Sequence, residues 1–268
     1  MLYPVGFLQA IGESLMQIDF IGPRYIEGDT TPIHFLSLRW VRPQKRQLFF
    51  RIHAATTKEV LRILSIVFFE MKLPFPDVIQ QDNGSPFRGC IDQKGVVGRY
   101  IQWWCYQEVI VVFNAPNSPW NTGSVEGANS VFDRKFWKAH HFSSLDQLDS
   151  TLQRFNEAFA VYHGESTQGQ QPTQGLRRNP RCLSTLQQPF LFLLRVVREN
   201  QYSHHVIEVL NRYIELPSSL KGQYVIVQIH LREQWMMIWQ ERNDHTTLIR
   251  SRQEFKVQTS QILKKKKE

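Results

Sequence analysis

Cysteine is scarce and odd in number. Cys90, Cys105 and Cys182 lie far apart and form no CxxC pair. That spacing excludes a disulfide framework and a cysteine-based zinc site. The paired histidines, His140-His141 and His204-His205, have no cysteines at ligand spacing and read as surface or cap residues. No run of eighteen apolar residues occurs, so no membrane span is expected. Residues 1–10 carry no basic n-region and no small-residue cleavage site, which argues against a secretory signal. No internal repeat is found. The expectation is a soluble cytoplasmic protein with no membrane partner.

A chain of 268 residues with 42% hydrophobic residues can bury one large core or two modest ones. The net charge is +8, and its distribution is uneven. Residues 1–176 hold 16 Lys+Arg against 16 Asp+Glu, whereas residues 177–268 hold 16 against 8. Arg177, Arg178, Arg181, Arg195 and Arg198 form one basic cluster, and Lys264 to Lys267 form another. A neutral body with a basic appendage suits a polyanionic partner such as DNA; the plainer alternative is a solvated tail.

Hydrophobic periodicity predicts strands over residues 17–26, 34–41 and 47–54, a helix from Thr56-Thr57 to Lys72, and a short buried strand over 77–81. A helix over 95–107, a strong apolar strand over 109–113, and amphipathic helices over 124–140 and 145–162 follow. The order β-β-β-α-β-α-β-α-α implies an α/β layered core with a mixed sheet. Residues 164–180 are rich in Gly, Gln, Pro and Thr and read as linker. Beyond them, candidate strands over 206–216, 223–231, 234–240 and 247–250 suggest a small β barrel. Trp103 and Trp104 fit core packing better than base stacking, and Trp235 and Trp239 fit a barrel interior.

Three acids stand out. Asp19 lies in the first strand, on the face opposite Ile18 and Phe20. Asp82 follows Val78-Ile79 at a strand's carboxyl end, where Asn83-Gly84 turns the chain away. Glu126 begins a helix after Asn121-Thr122-Gly123. Acids on three separate elements can converge on hard cations such as Mg²⁺, which take oxygen ligands and promote phosphoryl transfer. Read singly, each has a plain alternative: Asp82 as a turn residue, Glu126 as a helix N-terminal acid.

The words around them are more specific. QIDFIGP (17–23), QQDNGSPF (80–87) and NSPWNTGSVEGANSVFDRKFW (117–137) resemble the three catalytic blocks of insertion-sequence transposases, which share the ribonuclease H-like core of retroviral integrases. The resemblance implies a ribonuclease H-like mixed five-stranded sheet with flanking helices over 1–163, and a linker over 164–200. It further implies a small SH3-like DNA-binding barrel over 201–257, before a basic tail over 258–268. It implies that Asp19, Asp82 and Glu126 are both catalytic residues and ligands of two Mg²⁺ or Mn²⁺ ions. DNA ends would be cleaved by water and a 3′ hydroxyl then joined to target DNA. Arg134, Lys135, Trp120, Arg177 and Arg178 would contact DNA, and the protein would act as a homo-multimer associated with the nucleoid.

The chain departs from the family pattern in three places. The Asp82–Glu126 interval holds 43 residues, longer than is common in the family, and the surplus is expected in 88–100. Only eighteen residues precede Asp19, so the usual helix-turn-helix reader is expected on a partner chain or lost in a truncated remnant. Ser130 stands where many integrases carry lysine. Helical spacing puts Asn129, Ser130, Asp133 and Trp137 on the Glu126 face. Asp133 is thus a candidate fourth acid, with a salt-bridged residue as the alternative. The rival functions are a catalytically silent DNA-binding remnant and a nuclease of the same fold that does not join strands.

Overall fold

The computed structural model describes residues 5–43, 45–89, 93–116, 123–162, 188–198, 204–242 and 245–259. A short helix α1 (Val5–Ala10) precedes three strands, β1 (Leu15–Arg24), β2 (Ile33–Arg42) and β3 (Arg46–Ile52). They form an antiparallel meander in which Asp19 lies opposite Ser37. Strand alternation splits their side chains. Met16, Ile18, Leu36, Leu38 and Trp40 enter one core, while Phe35 and Phe49 enter another across the sheet.

Helix α2 (Thr57–Ser65) starts where the sequence predicts, with the Thr56 hydroxyl accepting from the Glu59 N–H at 3.3 Å. It continues into a π turn (Ile66–Glu70) capped by Met71, and Lys72 follows in the left-handed region, two residues before Pro74. Strand β4 (Val78–Gln81) returns beside β1 in parallel, pairing Gln17 with Gln80. A short helix α3 (Ser85–Arg88), a two-residue strand β5 (Val96–Val97) and helix α4 (Arg99–Tyr106) lead to β6 (Ile110–Phe113), parallel to β4. Trp103 and Trp104, both on α4, are buried in the core as expected. Helix α5 (Gly123–Phe132), a π turn (Asp133–Trp137) and helix α6 (Leu145–Tyr162) cover the opposite face. Phe132, Phe136, Leu148 and Leu152 there meet Phe35 and Phe49.

The sheet is mixed and flanked by helices, but it does not stop at five strands. Residues 190–195, expected within the linker, form β7 (Phe190–Arg195), which pairs in parallel with β6. The strands predicted for a separate barrel divide between two sheets. Strands β11 (Tyr224–His230), β12 (Trp235–Arg242) and β13 (His245–Glu254) continue from β7 in antiparallel order. The result is one nine-stranded sheet, β13-β12-β11-β7-β6-β4-β1-β2-β3. Strands β8 (Val197–Arg198), β9 (His205–Val209) and β10 (Arg212–Leu216) form a separate three-stranded sheet. Trp235 is buried against His230, while Trp239 packs beside Leu191, Leu193 and Ile226.

Part of the long stretch between Asp82 and Glu126, from Arg88 to Val97, contacts the C-terminal strands. Gly89 and Gly98 pinch its base; a Cβ on Gly89 would lie 2.5 Å from the Gly98 Cα. At the base, Arg88 pairs with Glu208 at 3.1 Å, and within the loop the Gly95 N–H donates to the Leu210 carbonyl at 2.8 Å. Strand β5 pairs with the last strand, β14 (Gln258–Thr259). At the far edge of the sheet, the Asn156 amide caps β3: it accepts from the Phe49 N–H at 3.0 Å and donates to the Phe49 carbonyl at 2.9 Å. That occupies backbone groups which would otherwise template another strand. Among the described residues, no helix is long and apolar enough to cross a membrane.

Candidate active site

Asp19 lies on the face of β1 that carries Gln17, beneath α5. Its Oδ1 accepts from the Phe20 N–H at 2.8 Å and its Oδ2 from the Asn129 amide at 2.8 Å. Burial pushes its carboxyl up to about 6, and the Phe20 hydrogen bond opposes that rise. The negative charges of Asp82 and Glu126 raise it further, and the Asn129 hydrogen bond lowers it. Both other acids therefore lie near enough for their charge to be felt at Asp19.

Asp82 is exposed one residue past β4. Its Oδ1 accepts from the Gly84 N–H at 2.8 Å, an Asx turn in which a Cβ on Gly84 would approach that oxygen to 2.9 Å. Glu126 is half-buried in the first turn of α5. Within the long preceding interval, residues 93–97 contact the C-terminal strands. The helix start is fixed from below by the Val125 N–H, which donates to Gln17 Oε1 at 3.1 Å.

The donor set suits a hard cation. Three carboxylates come from three elements, their accumulated charge disfavours ionisation of Asp19, and the buried Asn129 Oδ1 beside it has no hydrogen-bond partner. Among the described residues, no three His, Cys, Asp or Glu side chains are drawn tightly enough to cage an ion as they stand.

Beside the acids runs an open groove of about 520 Å³, lined by Phe20, Ile21, Arg24, Asn129, Asp133 and Arg134 among others. Arg134 is exposed on its rim, and Lys135 is exposed outside it. Asp133 is ion-paired to Arg24 and to Lys138, each at 2.8 Å. Lys138 first and Arg24 second hold its carboxyl below the ordinary range, so it is a salt-bridged residue and not a fourth acid. The π turn also swings Trp137 onto Phe35, with ring centroids 5.8 Å apart. Trp120, Arg177 and Arg178 lie outside the described residues.

Four polar residues in or just past the sheet's strands carry no signal of their own in the sequence. Gln17, Gln80, Gln81 and Asn114 are all buried. Gln17 and Gln80 each stand two residues before an acid, which by strand alternation is the same face. That period of two was the available signal. No family model and no curated protein matches the chain.

Proposed function

We propose that this chain is a DNA transposase or integrase that cuts DNA strands and joins them to target DNA with divalent metal ions. The observation that carries this reading is the placement of Asp19 on a strand, Asp82 at the end of the neighbouring parallel strand and Glu126 in the first turn of the helix above, with Asp19 hydrogen-bonded to Asn129 of that helix. The order β3-β2-β1-β4-β6, with the first three strands antiparallel and the next two parallel, supports a ribonuclease H-like arrangement at its heart.

In this reading Asp19, Asp82 and Glu126 hold two Mg²⁺ or Mn²⁺ ions. Once bound, these supply Lewis-acid activation of the attacking oxygen and stabilisation of the leaving one. The chain's own part is positional. Asn129 orients the Asp19 carboxylate, and the Gly84 N–H fixes that of Asp82. The groove beside them, with Arg134 on its rim and Lys135 nearby, receives the phosphate backbone. The basic excess after residue 176 adds sequence-independent affinity for transposon ends and target, and the protein works as a homo-multimer on DNA.

The test is DNA cleavage in Mg²⁺ by Glu126→Gln, which keeps size and removes charge. Cleavage should fall by about 10³-fold or more, with DNA affinity unchanged within about twofold. Undiminished cleavage would overturn the proposal, and strand-transfer products would separate it from a simple nuclease. The rival reading is a catalytically silent DNA-binding protein, in which the basic excess after residue 176 serves binding alone. Intact DNA binding with no cleavage by the wild type would establish it.

A further inference from the structure

Directly beneath the three acids, a line of side-chain amides crosses the sheet. Gln17 Oε1 accepts from the Val125 N–H at 3.1 Å, and Gln17 Nε2 donates to Gln80 Oε1 at 2.9 Å. Gln80 Nε2 then donates to Asn114 Oδ1 at 2.7 Å. The direction of the line is set at one end. A backbone N–H can only donate, so Gln17 must present its oxygen to α5, and each amide beyond it is oriented in turn. At the other end the Asn114 carbonyl accepts from the Asn83 side chain, next in sequence to Asp82.

Each link sits beside one acid. Gln17 precedes Asp19 by two residues on β1, and Gln80 precedes Asp82 by two on β4; Gln17 and Gln80 are partners in the parallel register. Val125 immediately precedes Glu126. All three amides are at most 5% exposed. Buried amides cost stability that apolar side chains of the same size would not, so core packing gives no reason for three in a row. Chained amides do what apolar contacts cannot: they fix distances and angles between elements.

We infer that Gln17, Gln80 and Asn114 are positioning residues that hold Glu126 and Asp82 in register with Asp19, and so set how tightly the site takes a divalent ion. The inference rests on the metal-dependent reading above.

The experiment uses the full chain with Gln17→Met and Gln80→Met, which keep side-chain length and remove the hydrogen bonds. Folding is followed by circular dichroism, Mn²⁺ affinity by electron paramagnetic resonance of free Mn²⁺, and DNA cleavage as separate kcat and KM. The folded variants should bind Mn²⁺ at least about fivefold more weakly. They should lose roughly 10- to 100-fold in kcat, the scale of an ångström-sized misplacement, with KM for DNA within about twofold. If Gln17→Met fails to fold, Gln80→Met still decides, because it leaves the Gln17–Val125 bond in place. Folded variants with wild-type Mn²⁺ affinity and kcat would overturn the relay. A wild type that neither binds Mn²⁺ nor cleaves DNA would overturn the functional reading and the relay's positioning role with it, a failure read in a different protein from the first.

Discussion

Strand β6 lies between two parallel neighbours that are both buried but differ in chemistry at their carboxyl ends. On one side β4 contributes Gln80 and Gln81 and leads straight to Asp82. On the other, β7 contributes Phe190, Leu191, Phe192, Leu193 and Leu194, all buried. The apolar strand is held by area removed from water, a force that is indifferent to small shifts. Strand β4 adds to its buried Val78 and Ile79 the directional side-chain bonds of Gln80 and Gln81, which fail with small shifts. Burial alone therefore does not say what a strand is for. Here stability is concentrated on one side of β6 and geometric control on the other.

Phe192→Ala should break that division most severely. Its ring is 2% exposed and stacks on Phe113 with centroids 4.8 Å apart. Chemical denaturation should show a loss of about 3–5 kcal/mol. Cleavage per folded molecule should be retained; a selective loss of activity would mean that β7 also shapes the site.

Asp19→Asn should act in the opposite direction. The folded carboxyl is raised from 3.8 to about 6, so the folded state binds its proton more tightly than the unfolded state does. Stability contributed by the protonated form is present at low pH and lost as pH rises from about 4 through 6. The neutral amide should escape that loss and stabilise the metal-free protein at neutral pH by up to about 3 kcal/mol. Asn129, whose Oδ1 has no partner, can turn over to accept from the new amide. Thermal melts across pH 4 to 8 check this, and parallel curves for the two proteins would refute it. Activity should vanish in the same variant, the expected opposition between stability and a charged site.

The smallest effect should come from Arg24→Ala. Its bond to Asp133 is partly solvated, with side chains 33% and 23% exposed, and Lys138 remains as a partner. A stability change under about 1 kcal/mol is expected by denaturation. A larger one would show that the groove wall depends on this pair.

The meander, β4, β6 and the helices α5 and α6 were legible because each carries its own periodicity; α6 runs over the predicted residues 145–162. The acids stood out as candidates from their local words. Strand β7 was not. A continuous apolar run after a polar stretch has no alternation to read, and its partner lies some eighty residues earlier in the chain. The amide line was hidden for a related reason: glutamine in a strand reads as surface until the opposite element is known. The surplus between Asp82 and Glu126 was visible as length, but its purpose depends on Glu208, Leu210 and Gln258, which no local pattern connects to it.

The pairing of β6 with β7 also bears on how the molecule is made. Asp19, Asp82 and Glu126 are all synthesised before the strand that seals their sheet. A nascent chain that has emerged only as far as Tyr162 presents Ile110–Phe113 as an open edge, with apolar Val111, Val112 and Phe113 uncovered on one side. Such an edge invites pairing with any extended segment nearby. Completion of the site-bearing half must wait for residue 195 to leave the ribosome, and a chain released early would carry every acid and still lack a closed sheet.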